Sequence, residues 1–178
     1  MVFSVSKEII PVSASCYFSV SRSGEFHQFL IYDYYDPEGY YAKLLSKPRK
    51  CRDEIRRLCL NMQSFLDQEE VKVNGVRVYP KVVTAYLSHR GFMDSPYIAW
   101  VITFKGKLRR GLNIFENTTE REEAEYDFEI VWQFPKKSRI VKVQISTESQ
   151  VVGRNTLIVW ARRGEIVGGY ERIEFTMY

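Results

Sequence analysis

The chain has 178 residues and a formal net charge of +4; 45% of it is hydrophobic and 15% aromatic. That length suits one domain with a real core, and so many aromatic residues exclude a disordered or linker-rich chain. Mild basicity permits nucleic acid or another anionic partner without demanding one. The three cysteines cannot all pair, and Cys51 and Cys59 stand eight positions apart on a predicted helix, a rise of about 12 Å that no disulfide spans. Lys7, Glu8 and Pro11 interrupt the opening apolar run, so no secretory leader is expected, and no stretch reaches the roughly 20 apolar residues of a membrane span. The expectation is a soluble cytoplasmic protein that makes no use of a membrane.

In chain order, Val2 to Val20 reads as strand divided or bent at Pro11, and Ser21 to Gly24 as a turn. Phe26 to Tyr35 is a strong strand. Asp36-Pro37-Glu38-Gly39 suits a type I turn, which makes Tyr40 to Leu45 a returning strand. Next comes the one long segment with helical spacing: Cys51, Ile55, Leu58, Cys59, Met62, Phe65 and Leu66 recur at three- and four-residue steps. The helix is placed near 47–69, with Ser46 as its cap and Pro48 in its first turn. Its charges run against the helix dipole, with Lys47, Arg49, Lys50 and Arg52 at the positive end and Asp67, Glu69 and Glu70 at the negative end. Pairing of Arg49 with Asp53 and Lys50 with Glu54 would make this an ordinary solvated face; an anion docked at the helix start is the functional reading.

Val71 to Val78 alternates on both sides of Asn74-Gly75, a hairpin signal. Val82 to Leu87 is a strand, Ser88 to Pro96 an exposed loop, and Tyr97 to Phe104 a strand apolar enough to be buried on both faces. Lys105 to Lys107 turns the chain into a strand from Leu108 to Phe115. Glu116 to Glu125 reads as a loop or a short helical turn. Tyr126 to Phe134 alternates, with Phe128, Ile130, Trp132 and Phe134 on one face. After a turn at Pro135 to Ser138, short strands finish the chain, and Gly168-Gly169 reads as a hairpin turn between two of them. The expected fold is mainly β (α+β): one domain over 1–178, an antiparallel β-sandwich or barrel-like sheet with one long amphipathic helix packed on it.

Chemistry-bearing motifs are sparse. No HxxxH, CxxC, GxGxxG or GxxxxGK occurs, so no metal, cofactor or catalytic set is assigned. His27 reads as a structural strand histidine, while His89 and Arg90 sit at the mouth of a loop where sites tend to be placed. The candidate ligand- or anion-binding residues are therefore Lys47, Arg49, Lys50, Arg52, His89 and Arg90. Further basic clusters at Lys105 to Arg110, Lys136 to Arg139 and Arg162-Arg163 would extend an anionic site if the fold gathered them at one end. No motif matches a family by name; the run 116–134 resembles, in outline only, a loop-and-strand unit of immunoglobulin-like sandwiches.

The expected role is a binding or interaction module whose partner is a protein, another macromolecule or an anionic ligand, with homo-oligomerisation open. One alternative is RNA or single-stranded DNA binding through the basic turns and the helix start, with Tyr34, Tyr35, Tyr40 and Tyr41 available to stack on bases. A second is a carboxylate-dependent hydrolase or metal-dependent enzyme using the acids between Glu116 and Glu129.

Overall fold

The structure, a computed structural model, describes residues 9–178. Its elements are β1 (Ile10–Val20), β2 (Glu25–Tyr35), α1 (Tyr40–Leu45), α2 (Pro48–Leu66), β3 (Glu70–Val73), β4 (Val76–Val78), β5 (Lys81–His89), β6 (Pro96–Lys105), β7 (Gly111–Glu123), β8 (Asp127–Gln133), β9 (Ser138–Gln144), β10 (Glu148–Val152), β11 (Thr156–Ala161) and β12 (Ile166–Met177). They form a seven-stranded sheet in the order β10-β11-β8-β1-β2-β6-β5 and a five-stranded sheet in the order β4-β3-β7-β12-β9. The protein is mainly β, with two sheets and one long helix, as its pattern implies.

The larger sheet buries one face, and two different partners share it. Phe18, Val20, Phe26, Phe104, Trp132 and Phe134 pack against Val71, Val73, Phe115, Ile173 and Phe175 of the smaller sheet. Farther along the same face, Tyr34, Leu87, Ile98 and Trp100 pack against Tyr41 of α1 and Leu58, Met62 and Leu66 of α2. Leu30, midway along β2, touches both cores and marks the seam between them. The Trp100 indole donates to the Leu58 carbonyl at 3.3 Å and ties the helix to the sheet.

Helix α2 lies by its greasy stripe on the sheet, and each of its fully buried Leu and Met side chains contributes roughly 1.5–3 kcal/mol. Asn74 and Gly75 both adopt positive φ, 53° and 78°, so the β3–β4 hairpin turns as its Asn-Gly pair requires.

Other expectations need correction. Tyr40 to Leu45 is helix: Asp36 Oδ2 accepts the Tyr41 amide at 2.8 Å, which starts α1 where a returning strand was expected. Ser46 closes α1, its hydroxyl donating to the Lys43 carbonyl, and Lys47 occupies the N-cap of α2 with no capping side chain. Glu116 to Glu123 is strand, because β12 runs alongside it as far as Ile166. Gly168 therefore lies at a bulge inside one continuous strand and makes no hairpin. β6 is half-buried on its outer face at Tyr97, Val101 and Thr103. The pairing of β1 with β8 is parallel. The run from Val2 to Glu8 lies outside the described residues.

Candidate functional site

At the seam, where the last turns of α2 and the segment entering β3 meet both sheets, packing leaves a cavity of about 270 Å³. Period-two alternation along β1 and β2 sends Cys16, Phe18, Gln28, Leu30 and Tyr32 to this side of the larger sheet. Met62, Phe65 and Leu66 come from α2, Phe115 and Asn117 from β7, and Trp132 from β8. Most of the wall is apolar and aromatic, with a few convergent polar groups, the usual make-up of a small-molecule site.

Those polar groups are mainly acceptors. Glu69, just beyond the end of α2, is half-buried in the wall. Burial pushes its carboxyl up to about 7; hydrogen bonding to Asn117 opposes the shift and the charge of Glu171 on β12 adds to it. Glu171 is also half-buried, and burial raises its carboxyl above the ordinary range. Asn117 Oδ1 is buried and accepts no hydrogen bond from the described residues. Tyr32 and Tyr126 meet edge-to-face at 5.6 Å and share a hydrogen bond. Burial raises both phenols, and the charges of Glu122 and Glu125 raise Tyr126 further. The Gln28 amide donates to Cys16 Sγ at 3.4 Å, and burial pushes this thiol up to about 12, which keeps it protonated and unreactive.

The sign of the charge is one-sided. Among the described residues the cavity lining includes seven glutamates and no lysine, arginine or histidine, in a chain of net charge +4. Glu69 and Glu171 are the half-buried members, and the remaining five are exposed.

The residues singled out from the sequence lie elsewhere and in separate places. Lys47, Arg49, Lys50 and Arg52 are exposed at the start of α2 and make no ion pair with the described residues. Neither expected pair forms; Glu54 instead takes Arg57, at 3.0 and 2.5 Å. His89 is exposed at the end of β5, opposite Pro96, whereas Arg90, the next residue, turns to the sheet's other side, where its guanidinium bonds Asp33 at 2.8 Å and lies 4.2 Å from the Tyr97 ring centre. His27 is exposed on that outer face.

The basic turns do not gather at one end. Lys105 pairs with Glu25, and Arg22 donates to the carbonyls of Lys136 and Tyr178, so those clusters share the end where β2 begins. The helix start and Arg162-Arg163 belong to the opposite end, where β2 finishes and β8 begins. Of the acidic run, Glu116 binds Tyr170 at 2.6 Å and Arg172 at 3.3 Å. Among the described residues no three His, Cys, Asp or Glu side chains converge as metal ligands would.

Sequence reasoning missed Glu69, Asn117, Glu171, Tyr32 and Tyr126 as a group. Glu69 stands out only as an acid at the helix end where acids are disfavoured, and Asn117 only as part of a polar triplet. Their meeting depends on strand order, which local spacing does not encode.

No protein-family model matches the chain, and no curated protein matches it. Among solved structures it is similar to a crystal structure from Parabacteroides distasonis, provisionally described as that of a protease, with 8% identity and a TM-score of 0.34. The match covers 97% of this chain and 41% of that one, so the chain spans about two fifths of that protein's length. So loose a likeness carries no argument about fold or activity. No helix among the described residues is long and apolar enough to cross a membrane.

Proposed function

We propose that this protein is a binding module that holds a small, largely apolar molecule in the cavity between its sheets. The observation that supports the reading is the seam cavity itself, with aromatic walls and hydrogen-bond acceptors converging at one place. A cavity of this size suits a ligand of one or two fused rings. The test is titration with indole, followed by amide NMR. Shifts centred on Cys16, Leu30, Leu66 and Tyr126, and abolished by Ala14→Leu at the wall, support the reading. Absence of shifts, or shifts spread over the outer face of the larger sheet, would remove it. A catalytic turnover lost in Glu69→Gln would replace binding with carboxylate chemistry.

A second reading, binding of nucleic acid or another anion at the start of α2, rests on the four exposed cations there and their lack of partners among the described residues. It is independent of the cavity and has its own test below.

A further inference from the structure

The charge and hydrogen-bonding character of the cavity narrow its ligand further, given that the cavity is a binding site. Glu69, Glu171 and the orphaned Asn117 Oδ1 all accept hydrogen bonds, and no basic side chain among the described lining residues answers them. A buried acceptor without a donor is costly, and two carboxylates that repel each other are costlier. An anionic ligand would worsen both, whereas a neutral hydrocarbon would relieve neither. The walls meanwhile include the rings of Phe18, Tyr32, Phe115, Tyr126 and Trp132, and aromatic π clouds attract cations.

We propose that the cavity selects an organic cation: an aromatic or aliphatic amine whose ammonium group sits among Glu69, Glu171 and Asn117 while its apolar body lies against the aromatic wall.

Protons and the cation then compete for the same carboxylates. Glu69 faces Glu171 of β12 and Asn117 of β7; Cys16 of β1 and Tyr32 of β2 line the same cavity with groups that stay neutral through the physiological range, and Tyr126 sits beside Glu122 and Glu125. With Glu69 titrating near 7, affinity for a cation rises with pH up to that point and levels above it. Below it, affinity falls by about tenfold per pH unit if the ionised Glu69 is the form that binds.

The experiment is calorimetric titration with three indoles of similar size and different charge: tryptamine, neutral 3-ethylindole and anionic indole-3-acetate. At pH 8 tryptamine should bind about tenfold or more tighter than 3-ethylindole, with indole-3-acetate weakest. Glu69→Gln should erase both the preference and its pH dependence, and Glu171→Gln should weaken the preference. Binding of 3-ethylindole as tight as that of tryptamine would overturn the cation proposal while leaving the cavity a ligand site. Failure of all three to bind would overturn both. A tryptamine affinity independent of pH between 5 and 8, or unchanged in Glu69→Gln, would also overturn the proposal.

Discussion

Glu69, just beyond the end of α2, has its carboxyl pKa raised first by burial at the seam between the two cores and further by the charge of Glu171 on β12. Two acids on elements distant in sequence are thus held close inside a largely apolar cavity, and the fold bears an energetic cost there.

That cost has a definite sign with pH. The folded-state pKa of Glu69 stands at about 7 against an ordinary 4.5, so the folded protein holds this proton more tightly than the unfolded chain does. Glu69 therefore costs nothing below about pH 4.5, progressively more up to pH 7, and a constant roughly 3 kcal/mol above it. Glu69→Gln should stabilise the protein at pH 8 by up to that amount and have little effect at pH 4. Urea unfolding of both proteins across that range measures the difference; equal stability at pH 8 would contradict the account.

The helix is held by its greasy face, so truncating that face should cost far more than altering its cationic start. Leu58→Ala is expected to cost roughly 2–5 kcal/mol, and Trp100→Phe, which removes the bond to the Leu58 carbonyl, about 1 kcal/mol beyond any repacking. Denaturant midpoints check both values.

Reversing the charges of Arg49 and Lys50 should do the opposite. Both are exposed at the positive end of α2, and each change to Glu is expected to stabilise the helix by roughly 0.3–1 kcal/mol at low salt. If the anion-binding reading holds, the same double variant should lose retention on heparin and on single-stranded nucleic acid. No retention of the parent protein at low salt would remove that reading.

Two glycines with similar backbone angles should respond differently to alanine. Gly24 has φ +83°, and a Cβ there would lie 2.0 Å from the Gly106 carbonyl oxygen, whereas Gly75 has φ +78° and open space around it. Gly75→Ala should cost about 1 kcal/mol in backbone strain alone. Gly24→Ala should cost clearly more, because the two turns it joins, tied by the Gly106 amide to the Gly24 carbonyl at 2.9 Å, must separate. Comparable thermal midpoints for the two variants would contradict this.

Much of the architecture was legible locally. The three- and four-residue apolar steps locate α2, Asn74-Gly75 locates a hairpin, and the row from Phe128 to Phe134 identifies the buried side of β8. Errors arose where neighbours decide the conformation. Tyr40 and Tyr41 favour strand intrinsically, but the Asp36 carboxylate caps them into a helix. Glu116 to Glu123 is too polar to look like strand because it runs past the sandwich core, with pairing to β12 as its support. The cavity was the least legible feature, because Glu69, Asn117 and Glu171 approach only through the order β3-β7-β12 in the smaller sheet.

The most direct test of the cavity as a cation site is a carboxyl-carbon NMR titration of Glu69, with and without tryptamine. The account predicts a midpoint near 7 in the free protein, moving down when the amine is bound. A midpoint in the ordinary range near 4.5, unmoved by the amine, would contradict it.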